Sequence, residues 1–157
     1  MRVIGCFDSE DRTIQTKALM LISRFSTSQL NVVLKLFDTF SKSTKKRIIM
    51  HLMTINTLTP YVFLLDYLAR IDDTDLVDHI VLCLGKTSVT VFPLILQRLD
   101  SNDLSYIARL KQVLNAVGFK QIELYLTVMP QIPHEQYFRD VFGDDAINAV
   151  KLGSQNV

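Results

Sequence analysis

Apolar residues recur along this chain every three or four positions, in blocks separated by polar or proline-bearing turns. That period belongs to amphipathic helices, and no stretch of useful length alternates at the period of two expected of a half-buried strand. A first helix is expected to start at Asp8 or Ser9, whose short side chain can accept a bond from an unpaired helix N–H, and to end at Phe25. Ile14, Ala18, Leu21, Ile22 and Phe25 share one stripe, with Arg12, Gln15 and Lys17 outside it. A single apolar face suits the end unit of a stack. A second helix is expected over Gln29–Phe40, with Leu30, Val33, Leu34, Phe37 and Phe40 inward. Ser41-Lys42-Ser43-Thr44 then reads as a turn, and Lys45–Ile55 as a third helix with Ile48, Ile49, Leu52, Met53 and Ile55 inside.

From Thr59 to Gly118 one pattern is written twice. Thr59-Pro60 is a start signal, because proline in the first turn gives up an N–H that has no helical partner. Tyr61–Ile71 is apolar except for Asp66 and Arg70, which predicts a helix covered on most sides. Asp72-Asp73-Thr74-Asp75 turns the chain and caps a helix with Leu76, Val77, Ile80, Val81 and Leu84 inward and Gly85 at its end. The second copy has Thr90 as cap, Phe92–Leu99 with Gln97 and Arg98 outward, the turn Asp100-Ser101-Asn102-Asp103, then Leu104, Ile107, Leu110, Leu114 and Val117 closed by Gly118 as a left-handed cap. A last pair is expected from Ile122 to Met129 and from His134 to Phe142, followed by Asp144–Leu152 and a frayed end from Gly153. Self-similarity at about 30 residues is the mark of stacked helical repeats.

The residues Ile71-Asp72-Asp73-Thr74-Asp75-Leu76 with Leu84-Gly85, and Leu99-Asp100-Ser101-Asn102-Asp103-Leu104 with Val117-Gly118, resemble the short HEAT repeats of the phycobilisome-lyase type. The resemblance implies an all-α solenoid, a right-handed superhelix of about four antiparallel helix pairs whose concave side binds proteins. Rarer members hold nucleic acid or assist attachment of a chromophore, and the repeat motif carries no catalytic residues. On this reading 1–157 is one domain: a capping helix over 8–25, repeats over 28–57, 58–87, 88–118 and 119–143, and a last helix over 144–152.

Composition narrows the functional reading. Of the 157 residues 48% are hydrophobic and 21% charged, a higher apolar share than self-burial requires, so part of the surface is expected to seek a partner. The net charge of +1 supplies no global field for nucleic acid or anionic membrane. Cys6 and Cys83 lie far apart without paired spacing, as suits free thiols in a reducing compartment, and the expected location is cytoplasmic. The start of the chain is too short and too soon acidic for a signal peptide, and no apolar run reaches membrane-spanning length.

The chemistry-bearing candidates are sparse. Gly85-Lys86-Thr87-Ser88 resembles the end of a phosphate-binding loop, but the position that needs the other glycine is Ile80, within a helix. His79 and Cys83 share a helix face, but two ligands do not make a zinc site, and His51 and His134 belong to other blocks. Cys6, beside acidic residues, is a poor nucleophile. The aspartate clusters suit turns and caps. Tyr61, Tyr67, Tyr106, Tyr125 and Tyr137 are the aromatics most suited to present a hydroxyl at an interface.

No catalytic, cofactor-binding or metal-ligating set is therefore assigned. The favoured expectation is a non-catalytic protein–protein interaction module, an adaptor, assembly factor or structural subunit. Its partner-binding residues are taken as Lys42, Lys45, Lys46 and Arg47 in one block and Asp73, Asp75, Asp78 and Tyr106 in the next two, opposed charges that would orient a partner protein or a second copy of the chain. One alternative is nucleic-acid binding through Lys35, Lys42, Lys45, Lys46 and Arg47, against which the near-zero net charge weighs. Another is a cofactor-attachment or accessory enzyme subunit using His79 and Cys83.

Overall fold

A computed structural model describes residues 3–86, 91–129 and 131–154, and every regular element among them is a helix. None of these helices is long and apolar enough to cross a membrane. The chain divides into two compact units, Met1–Phe63 and Leu64–Val157.

In the first unit a 3₁₀ turn at Ile4–Cys6 leads to α1 (Arg12–Met20), which tightens into a second 3₁₀ turn at Leu21–Arg24. The start of α1 lies later than expected: Asp11, not Asp8 or Ser9, is the cap, its carboxylate accepting from the amides of Thr13 and Ile14. Helix α2 (Thr27–Lys35) opens on a reciprocal box between Ser26 and Gln29. It is followed by a 3₁₀ turn at Phe37–Thr39 and by α3 (Lys42–Leu52). Ser41-Lys42-Ser43-Thr44 is thus no turn: the Ser41 hydroxyl accepts from the Thr44 amide and starts α3 there. Helix α4 spans Leu58–Leu68, so Pro60 still lies in a first turn, where its missing N–H is harmless.

Phe7, Leu19, Ile22, Leu30, Val33, Phe37, Ile48, Ile49 and Leu52 form the buried core of this unit. The Phe7 ring lies 6.5 Å from that of Phe25 and 5.7 Å from that of Phe40. Burying Phe7 takes its carbonyl out of water, and an orphaned carbonyl there would be costly. Gln15 Nε2 donates to it at 2.8 Å and the fully buried Thr44 hydroxyl at 3.2 Å. That need places Gln15 inward, against expectation, and leaves Ile14 47% exposed.

In the second unit α4 ends and is followed by α5 (Thr74–Gly85), α6 (Phe92–Leu96), α7 (Leu104–Val117), α8 (Phe119–Val128), α9 (Glu135–Phe142) and α10 (Asp144–Ser154). Asp73 caps α5 by accepting from the amide of Leu76, as expected of the run that holds it, and Asp103, expected only as part of a turn, caps α7 in the same way through Tyr106. Pro93 lies in the first turn of α6, and the expected cap Thr90 lies outside the described residues. Helix α10 continues through Gly153, beyond the expected end at Leu152.

The end of α4 shows how tertiary contacts complete a helix. Its amides tighten to three-residue bonds, Ala69 N–H to Asp66 O at 3.3 Å and Arg70 N–H to Tyr67 O at 3.1 Å. Two carbonyls are then met by side chains of α7: the Tyr106 hydroxyl donates to Leu65 O at 2.9 Å, and Arg109 Nη1 to Leu68 O at 2.5 Å. In α3, Thr44 and Arg47 occupy the same places after the cap Ser41 and do equivalent work, Arg47 donating to Gln15 Oε1 and, at 2.8 Å, to the Thr16 hydroxyl.

Gly118 (φ 84°, ψ 148°) joins α7 to α8, and Gly143 (φ 88°, ψ 160°) joins α9 to α10. Neither is the left-handed helical cap expected at Gly118; both occupy a region essentially restricted to glycine, which lets consecutive helices meet at one residue. Phe138 of α9 stacks near Phe92 (5.7 Å) and Phe142 (6.5 Å), and Phe92 meets Tyr125 at 5.6 Å. Glu135 pairs with Arg139 at 2.6 Å and with Lys151 at 2.6 Å, tying α9 to α10.

Asp8, His51, Glu135 and Asp140 take up protons less readily here than in an unfolded chain. Burial holds His51 below its ordinary 6.5, with Arg47 adding to the effect. Lys151 and then Arg139 hold Glu135 below its ordinary 4.5. For Asp140, Lys111 and then Gln136 do the same. Burial works to raise Asp8, but the neighbouring Thr44 and Ser41 hydroxyls and the Ser41 amide outweigh it, and its pKa is also lowered. Stability from all four is complete above about pH 7 and falls as the unfolded chain binds the extra protons, first at His51 and then at the carboxylates. Urea denaturation from pH 7.5 to 3 should show a shallow decline through pH 6 and a steeper one below about 4.5; a rise in stability toward acid would contradict these assignments.

Candidate partner-binding surface

The basic cluster does not stand out as an open patch. Arg47 is half-buried and spent on Gln15 and Thr16 of α1, and Lys45 Nζ lies 5.9 Å from the centre of the Phe37 ring. Lys46 is half-buried and Lys42 is exposed in the first turn of α3. Arg98, expected outward, is likewise taken into the fold, donating from Nη2 to Asp66 at 2.7 Å and from Nη1 to Leu94 O at 2.9 Å.

Tyr106 belongs to the core of the second unit. Its hydroxyl is buried on Leu65 O, and burial above all pushes its pKa up to about 12. It is therefore a structural donor and is removed from the partner-facing set. Tyr67 is buried as well, whereas Tyr125 keeps an exposed edge.

The acidic residues are placed differently. Asp73 is occupied as the cap of α5, while Asp75 and Asp78 lie exposed on its surface. Helical spacing sets Asp75, Asp78, Leu82 and Lys86 along one ridge, and all four are exposed. Beside that ridge runs a groove of about 340 Å³ between α5 and α7, lined by Asp78, Val81, Leu82, Gln112, Asn115 and Ala116. The two helices meet tightly where Gly85 in the last turn of α5 faces Ala116 in the last turn of α7. A Cβ at Gly85 would lie 2.5 Å from that of Ala116. Leu82 stands 55% exposed at the groove. It lies off the buried stripe of Leu76, Val77, Ile80 and Leu84, and that offset in the sequence is the signal that could have identified it.

Other expected apolar positions also face solvent: Leu104 is 83%, Leu124 74% and Val128 72% exposed. On α8, Ile122 and Leu126 take the buried side, so Leu124 and Val128 fall on the opposite one.

Of the chemistry-bearing candidates, Cys83 Sγ lies 3.8 Å from His79 Nε2. Burial pushes the thiol up despite Lys86, which disfavours the thiolate a nucleophile requires. Cys6 and Cys83 are free thiols, and among the described residues no three His, Cys, Asp or Glu side chains converge to hold a metal ion. Gly85 sits inside α5 with Lys86 as the residue after it, while Thr87 and Ser88 lie outside the described residues. The chain matches no protein-family model, no curated protein and no solved structure.

Proposed function

We propose that the protein is a non-catalytic interaction module, a short HEAT-like stack of helix pairs that serves as an adaptor, assembly factor or structural subunit. The observation that carries this reading is the open α5–α7 groove, where an exposed leucine stands beside exposed carboxylates and uncharged amides. An apolar side chain left in water beside a concave, mixed surface is what a docking site offers its partner. Two features support the stacked-repeat form. The last turns of α5 and α7 meet, as second helices of successive repeats do when they lie side by side, and α3 and α7 both use the third and sixth residues after the cap to brace the preceding segment. The nucleic-acid alternative is weaker, because Lys45 and Arg47 are engaged within the fold.

The test is affinity capture of the tagged chain from nuclease-treated native lysate at moderate salt, with wild type and Leu82→Glu in parallel. Stoichiometric recovery of one or a few proteins by wild type is expected. Recovery only of nucleic acid before nuclease treatment, and of no protein after it, would overturn the reading.

A further inference from the structure

Resting on the interaction-module reading, we propose that the α5–α7 groove receives a single amphipathic helix of a partner protein, basic at its C-terminal end and lying antiparallel to α5. The walls of the groove are themselves helices, so they offer no row of open backbone donors and acceptors to an incoming chain. An extended peptide would leave its own amides and carbonyls facing Val81, Leu82 and Ala116 without partners, whereas a helix brings its backbone bonds already made. The lining is also too open for a small-molecule site: Leu82 stands in solvent, and every polar side chain in the lining, Asp78, Gln112 and Asn115, is exposed.

Charge sets the sign and the direction of the occupant. The ridge beside the groove reads Asp75, Asp78, Leu82, Lys86 from the start of α5 to its end, so it is negative at one end, apolar in the middle and positive at the other. The acidic run Asp72-Asp73 precedes it, and among the described residues no cation lines the groove. A partner helix is most stable in isolation with cations in its last turn and anions in its first. Such a helix meets both ends of the ridge favourably only when its C-terminal turn lies over Asp75 and Asp78 and its N-terminal turn near Lys86. Its apolar face, at positions i, i+3, i+4 and i+7, then packs against Leu82, Val81 and Ala116.

The test uses the full chain and three fluorescein-labelled model peptides of about five turns, long enough to hold helical structure. All share one leucine face; the first has glutamates in its N-terminal half and lysines in its C-terminal half, the second the reverse order, and the third glutamates throughout. Anisotropy titration should give binding about tenfold tighter for the first than for the second, none for the third, and a loss of that preference as salt is raised. In Asp75→Lys/Asp78→Lys protein, whose ridge is positive at both ends, the all-glutamate peptide should become the tightest of the three, and in Leu82→Glu protein binding should vanish, with circular dichroism unchanged because the three side chains are exposed. Equal binding of all peptides, or a preference that survives Leu82→Glu, would overturn the proposal. So would sedimentation showing a concentration-dependent dimer that Leu82→Glu abolishes, since a second copy would then fill the groove. A native partner still captured by Leu82→Glu protein would overturn the groove while leaving the interaction-module reading in place.

Discussion

Replacing Phe138 with alanine should lower the stability of the second unit by about 3–5 kcal/mol, the usual loss for truncating a fully buried phenylalanine. Phe138 has no exposed surface and is the buried residue of α9, a helix of eight residues. A helix so short has little stability of its own and depends on what its side chains reach. Through Phe138, which has Phe142 of the same helix beside it, α9 reaches the ring of Phe92, and Phe92 in turn reaches Tyr125 of α8. The truncation therefore removes packing area and aromatic ring contacts together. Urea denaturation followed by circular dichroism measures the loss, and amide hydrogen exchange locates it: protection should fall first in α9 and α10, which Glu135 ties together through Lys151. Phe142→Ala, at a half-buried site, should cost clearly less. A Phe138→Ala loss below about 1 kcal/mol would show that α9 contributes little to the cooperative unit.

How much of this was legible in the sequence depended on what each signal encodes. The Asp72–Asp75 run was readable as a cap because the capping bond is local, made by Asp73 to an amide three residues on, and the same local signal at Asp103 was read only as a turn. The inward stripe of α5 was readable because its polar residues leave little choice of face. Helix α8 was not, because Leu124 and Val128 form an apolar stripe as good as that of Ile122 and Leu126, and only the neighbouring helices decide which is covered. The polar residues that complete the fold were the least visible. Nothing local marks Gln15 and Thr44 as donors to Phe7 O, or Tyr106 and Arg109 as donors to the end of α4; those roles exist only once distant carbonyls are brought to them. The same limit applies to the basic run. A run such as Lys45-Lys46-Arg47 reads as a surface feature because charge is counted before the long side chains find partners, and Arg47 finds two on α1.

Gly85 shows how one residue type carries different instructions, and it gives the sharpest test of how α5 and α7 are joined. It was expected at the end of a helix and is the last residue of α5, but without the positive φ of Gly118 and Gly143. Its role is close approach: a methyl group there would lie 2.5 Å from Ala116 Cβ and 2.9 Å from the Ala116 carbonyl carbon. Two effects compete in Gly85→Ala. Alanine favours the helix by about 1 kcal/mol over glycine, whereas forcing a methyl into a filled contact costs about 1–3 kcal/mol. The contact is to backbone as well as to a side chain that has no rotamer to yield, so separation of the helices is the only relief, and overpacking should win. The expected result is a net loss of about 1–2 kcal/mol by urea denaturation. Ala116→Gly in the same chain removes the 2.5 Å clash but keeps the 2.9 Å one, so the double variant should recover part of the loss, and the cycle of single and double variants should show coupling of about 0.5 kcal/mol or more. Because Ala116 also lines the groove, moving it away from α5 in Gly85→Ala should also weaken binding of the Glu-to-Lys model peptide even though no lining side chain has changed. A variant as stable as wild type, with unchanged peptide affinity, would mean that α5 and α7 tolerate a wider spacing and that the glycine is not what fixes the groove.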